Sequence, residues 1–141
     1  MVKPKNFKFL EMIATKSTIP NTPATWEQLE NINYVANKLQ SIRDELHKPI
    51  VVTSGFRTPK LNTYVGGSRS SAHLKGLAAD ITCKKKVDNE KLLHFIQKHK
   101  HVIIPDQVIV YRDASGTIRW IHLGFTTILK RPRLQFIEKS V

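Results

Sequence analysis

His73 and Asp80 stand with six residues between them in "SAHLKGLAAD", and His122 lies further along in "RWIHLGF". Imidazole nitrogens and carboxylate oxygens are the donors of catalytic zinc, which takes three protein ligands and keeps a fourth position open. His73 falls on a stretch rich in Gly and Ser, where the backbone can bend to aim a ring. Asp80 and His122 interrupt otherwise apolar runs, "LAADI" and "WIHLGF". A carboxylate buried in such a run is costly unless it is paired or holds a metal. Each residue also has an ordinary explanation. A strand histidine is commonly a hydrogen-bonded core residue, Asp80 has Arg57 as a possible partner, and His73 on a polar loop can simply be solvated. The three taken together point to a metal centre.

Positioning these residues requires a frame, and the hydrophobic periodicity supplies one. "TPATWEQLENINYVANKLQSIRDELHKP" spaces Trp26, Leu29, Ile32, Val35, Ala36, Leu39, Ile42 and Leu46 mostly by threes and fours, which predicts a long amphipathic helix with Trp26 in the core. Thr25 with Gln28 forms a capping box at its start, and Pro49 marks its end. "PIVVTS" predicts a short strand. Thr58 and Pro59 open a short helix as N-cap and first helical residue. "GGSRSSAHLKG" reads as loop and "LAADITC" as a buried strand. "DNEKLLHFIQKHK" predicts a second amphipathic helix capped by Asp88. "DQVIVY" and "TIRWIHLGF" flank the turn "RDASG" and predict a hairpin. The fold class expected is α+β, with a small antiparallel or mixed sheet packed with helices. Residues 126–141 read as a basic tail without a clear pattern.

The 141 residues fit a single domain, 1–141. The one cysteine, Cys83, excludes an intrachain disulfide framework, and strand alternation turns it away from Asp80 into the core. No run approaches the roughly 18 apolar residues of a membrane span. No secretory signal is read in the first twenty residues, because Lys8 and Glu11 break the apolar stretch. The net charge of +12 favours polyanionic partners such as nucleic acid, anionic lipid or cell-wall polymer, or serves solubility alone. His94, His99 and His101 are metal-ligand types, but interleaved lysines mark them as a solvated helix end.

"SGFR", "LNTYVGGSRSSAHLKGLAADI", "DQVIVY" and "WIHLGF" together resemble the D-Ala-D-Ala carboxypeptidase group of zinc metallopeptidases, within the wider lysostaphin, D-Ala-D-Ala carboxypeptidase and hedgehog fold. The resemblance runs from about Phe9 to Phe125 and includes "NKLQSIRDELHKPI". It implies zinc held by His73, Asp80 and His122, and places Arg57 where the group's arginine would bind a scissile carbonyl or a substrate carboxylate. Ser71 and Gln107 match polar positions that line the group's cleft. The implied reaction is hydrolysis of peptidoglycan stem peptides, of the D-Ala-D-Ala carboxypeptidase or L-Ala-D-Glu endopeptidase type. The missing signal fits a phage- or mobile-element-type enzyme released by lysis. The pattern departs at the general base, since Arg119 and Tyr111 occupy positions where relatives carry a carboxylate. Asp113 and Asp106, which flank the "DQVIVY" strand, are the replacements expected, with Asp113 preferred because a turn can move a carboxylate over the cleft more easily than a strand start can. That departure keeps open a non-catalytic zinc module that binds cell wall. A nucleic-acid-binding role rests on charge alone, with no helix-turn-helix, zinc-finger or ribonucleoprotein pattern behind it.

Overall fold

A computed structural model of the chain describes residues 3–141. A short helix α1 (Phe9–Met12) precedes the long α2 (Trp26–Leu46), followed by β1 (Ile50–Ser54) and α3 (Pro59–Tyr64). A 3-10 turn at Ala72–Lys75 leads into β2 (Ala78–Cys83). Then come α4 (Asn89–Lys98), α5 (Lys100–Ile103), β3 (Gln107–Arg112), β4 (Ile118–Gly124) and β5 (Gln135–Ser140). The strands form one mixed sheet in the order β1-β2-β4-β3-β5, in which only the β3–β5 pairing is parallel. The architecture is α+β, and no described helix is long and apolar enough to cross a membrane.

α2 starts at its predicted capping box. The Thr25 hydroxyl accepts from the Gln28 backbone, and the Gln28 side chain accepts in return from the Thr25 backbone. The helix ends at Leu46, before Pro49, because His47 turns into the left-handed region (φ 57°). Its buried stripe is Ile32, Val35, Ala36, Leu39 and Ile42. These residues pack with Leu92 and Ile96 of α4 against Ala79, Ile81, Cys83, Val108, Val110, Ile121 and Leu123, which project from one face of the sheet. Cys83 lies fully buried in that core, and burial, reinforced by the negative charge of Asp88, pushes its thiol up to about 11.

Three expectations need correction. Trp26 is 78% exposed, because it occupies the first helical position, outboard of the stripe that meets the sheet. Asp88 makes no capping hydrogen bond to α4: a 3-10 turn at Lys86–Asp88 draws it into helical conformation, and its carboxylate faces Lys48 at 3.8 Å. Residues 126–141 are more than a tail, since β5 adds a fifth strand beside β3 and pairs Gln107 with Gln135 through Arg112 with Ser140.

Asn89, at the start of α4, is fully buried. Its amide nitrogen donates to Thr82 Oγ1 and to the Ile118 carbonyl, each at 2.9 Å, and its Oδ1 accepts from the Cys83 N–H at 2.7 Å. One side chain thus ties α4 to β2 and β4. Asn89→Ala strands a buried backbone donor and acceptor, and the expected loss is about 3 kcal/mol. Urea unfolding read by far-UV circular dichroism measures it, and a loss within the scatter of surface substitutions would show that water replaces the amide.

Candidate metal centre and its cleft

Strand register brings the site together on the sheet face opposite the core. Ser54 pairs with Asp80, Asp80 with His122, His122 with Ile109 and Ile109 with Ile137, a single row across all five strands. Residues directly opposed in neighbouring strands share a face, so Asp80 and His122 stand side by side without any loop to place them. A register shift in β1 between Val52 and Ser54 carries Ser54 into the row.

His73 arrives from the 3-10 turn. Ser71 caps that turn by accepting from the His73 N–H, and Gly76 closes it in the left-handed region. The ring is 2% exposed, and its Nδ1 lies 2.6 Å from the Gly55 carbonyl. A carbonyl only accepts, so Nδ1 carries the hydrogen and the lone pair of the neutral ring sits on Nε2. That nitrogen faces Asp80 Oδ1 at 3.2 Å, and His122 Nδ1 faces the same oxygen at 2.9 Å. An imidazole lone pair aimed at a carboxylate oxygen requires a proton or a cation between them. Two bonds of 2.0–2.1 Å at a tetrahedral angle separate ligand atoms by roughly 3.3 Å, close to the spacing found. Among the described residues, these three form the one group of His, Cys, Asp or Glu whose donor atoms all lie within 4.8 Å of one another. The donor set and the aimed lone pair fit zinc. Burial of Asp80 opposes its ionisation, yet its close contacts with the His122 and His73 rings outweigh it and hold the carboxyl well below the usual range.

The group lies in a cleft of about 570 Å³, a size that holds a short peptide. Arg57 lines the same cleft. Its Nε donates to Ser54 Oγ at 3.1 Å, its Nη1 to Asn62 Oδ1 at 3.2 Å and its Nη2 to Asp80 Oδ2 at 3.4 Å. The guanidinium plane is therefore fixed, one nitrogen against the carboxylate of the centre. Asn62 is itself 3% exposed and anchored to the Ser68 carbonyl. Gly67 packs so closely on it that a Cβ there would lie 2.1 Å from Asn62 Oδ1 and 3.0 Å from Arg57 Nη1.

The other expected residues divide. Ser71 and Gln107 line the cleft, with Gln107 held by a 2.9 Å hydrogen bond to Gln135. Asp106 lines it too, but both its oxygens are bonded to Arg133, at 3.0 Å from Nε and 2.8 Å from Nη2. Hydrogen bonds from Arg133 hold the Asp106 carboxyl below its ordinary value. Asp113 is not brought into the cleft. It organises the β3–β4 turn, where Oδ1 accepts from the Ser115 N–H and hydroxyl and from the Thr117 N–H. Tyr111 does line the cleft, stacked on Trp120 with ring centroids 4.5 Å apart. Burial raises the pKa of its hydroxyl, the charge of Asp80 raises it further, and Arg57 partly offsets both. The phenol is thus a neutral donor near the centre. His99 lies against Phe95, with ring centroids 4.3 Å apart, and the histidines of that helix end do not converge.

Asn62, Ile137, Arg133 and Lys139 escaped the sequence reading. Asn62 sits in "PKLNTY", where nothing marks it as buried. The other three belong to the segment from Lys130 onward, whose basic composition hid a strand.

Known proteins resemble this chain in sequence. A stretch of 45 residues is 47% identical to a zinc D-Ala-D-Ala carboxypeptidase of Streptomyces albus G, covering 31% of this chain and 18% of that protein. The chain thus matches less than a fifth of the length of that curated relative. The model of the Peptidase M15 family matches residues 5–123, which include the His–Asp–His group, Arg57 and the strands that hold them. On that match the chain belongs to the Peptidase M15 family.

Proposed function

We propose that this chain is a zinc peptidase that hydrolyses peptide stems of peptidoglycan, with the metal held by His73, Asp80 and His122. The observation that carries the reading is the convergence of three donor atoms within 4.8 Å, inside a peptide-sized cleft that also presents Arg57. The name of the Streptomyces relative, a zinc D-Ala-D-Ala carboxypeptidase, supports the choice of metal and substrate. A zinc ion held there supplies a Lewis acid for the scissile carbonyl and for water. Arg57 orients the substrate by donating to its carbonyl or carboxylate, and the Tyr111 hydroxyl adds a neutral donor beside it. Ser71 and Gln107 contact the bound peptide. Asp106 accepts the water proton and returns it to the leaving amine, once Arg133 yields one of its oxygens.

The decisive experiment is metal analysis of the purified chain together with mass spectrometry of a muropeptide digest. The expected result is one zinc per chain and a defined loss of D-Ala or cleavage at L-Ala-D-Glu. Zinc without any new product would leave the second reading, a zinc-containing module that binds wall peptides without cutting them. That reading is favoured by one observation: among the described residues, the only non-ligand carboxylate lining the cleft is Asp106, and it is tied to Arg133.

Arg57→Lys keeps the charge but loses the fork that joins Ser54, Asn62 and Asp80. The expected cost is roughly ten- to a hundredfold in kcat/KM, with zinc content unchanged. Wild-type kinetics for that variant would remove Arg57 from substrate binding.

A further inference from the structure

The cleft has a wall that the family match does not reach. The match ends at residue 123, whereas β5 spans Gln135–Ser140 and pairs in parallel with β3. Its alternation sends Ile137 and Lys139 into the cleft, with Ile137 opposite Ile109 and Lys139 opposite Tyr111. The charges lining the cleft then balance unevenly. Arg57 is paired with Asp80 and Arg133 with Asp106. Lys139 is exposed, and its ammonium has no ion-pair or hydrogen-bond partner among the described residues. Its neighbour Glu138, on the opposite face of the strand, is engaged by Arg112.

Distance assigns the free ammonium a place along a substrate. Lys139 is two strands across and two residues along from His122. With strands about 4.8 Å apart and about 3.3 Å per residue, the two backbones are roughly 12 Å apart. A flexible four-carbon stem covers roughly half of that. An extended peptide advances about 3.3–3.6 Å per residue, so the ammonium reaches a group roughly two residues from a bond held at the centre.

We propose that Lys139 binds a carboxylate of the substrate about two residues from the scissile bond, and so sets the charge class that the cleft accepts. This rests on the peptidase reading for its substrate, but the binding contact does not require turnover. Ile137 lies beneath the same peptide as an apolar floor. The contact is exposed, so it weakens as salt rises.

The test uses the zinc-loaded full chain and the stem pentapeptide L-Ala-γ-D-Glu-L-Lys-D-Ala-D-Ala in three forms. One has both carboxylates free, one is amidated at the D-Glu α-carboxylate, and one is amidated at the C-terminus. Affinity is read by calorimetry at low salt, or as kcat/KM where the peptide is cut. One of the two amidations is expected to weaken the wild type about three- to tenfold. Lys139→Gln should lose that discrimination while keeping its zinc, and Lys139→Glu should invert it. A wild type indifferent to both amidations overturns the proposal, as does a Lys139→Gln chain that retains the full penalty of each. If no peptide is cut but the discrimination and its loss are both seen, the peptidase reading fails and the carboxylate site stands.

Discussion

Asp80→Asn protein, purified beside the wild type, is expected to lose zinc affinity by roughly a hundredfold or more. Changes confined to the hydrogen-bond partners of metal ligands already cost about 10–100-fold, and Asp80 is itself a proposed ligand. Asp80 Oδ1 is the atom on which both rings converge, at 3.2 Å from His73 Nε2 and 2.9 Å from His122 Nδ1. The amide keeps the shape and removes the charge, so the change isolates electrostatics from packing. Hydrolysis of stem peptide should fall by about a thousandfold or more, because a Lewis acid contributes several kcal/mol to the barrier. His122→Ala should behave alike, since His122 sits on the same row of the sheet. Metal content by plasma mass spectrometry and activity after adding excess zinc are the two readouts. Stoichiometric zinc in Asp80→Asn would place the metal elsewhere and sink the centre proposed here.

Asp106→Asn and Asp113→Asn should separate widely. Removing a general base typically costs about a hundred- to ten-thousandfold in rate, and that is the fall expected for Asp106→Asn with zinc retained. Asp113→Asn should stay close to wild type in rate, because its carboxylate serves the turn at Ser115 and Thr117 rather than the cleft. Asp106 also accepts from the Arg133 N–H at 2.9 Å, so its loss could act by loosening β5. Arg133→Gln controls for this. It frees the Asp106 carboxylate from the guanidinium, and the expected result is a rate no lower than wild type. Full activity in Asp106→Asn would transfer the role to Tyr111, and Tyr111→Phe would then be the variant to measure.

Much of the site was legible because its residues break their surroundings. A carboxylate within "LAADI" and a ring within "WIHLGF" are costly where they stand, and the structure sets them side by side on one sheet row. α2 was legible through Thr25 and Gln28, whose reciprocal bonds are local. What stayed hidden depended on distant partners. Trp26 fits the helical spacing, yet the stripe is decided by where the sheet lies. "QFIEKS" alternates without dividing into polar and apolar faces, since Gln135, Ile137 and Lys139 on one side meet Phe136 and Glu138 on the other. Its strand character comes from the open edge of β3. Asp113 looked mobile as a turn residue, but its oxygen is what builds that turn.

The contact between Gly67 and Asn62 has a consequence for anyone who maps this chain by saturation mutagenesis. Position 67 never touches the proposed ligands, and no special backbone angle demands glycine there. Even alanine would drive a methyl group into Asn62 Oδ1 and crowd Arg57 Nη1. Because Asn62 is pinned to Ser68, the displacement passes to the guanidinium. Substitutions at position 67 should therefore lower kcat/KM by about the ten- to hundredfold expected for Arg57→Lys, with zinc content unchanged in the variants that fold. A screen would rank this glycine beside the chemically competent residues, although its contribution is the volume it leaves empty.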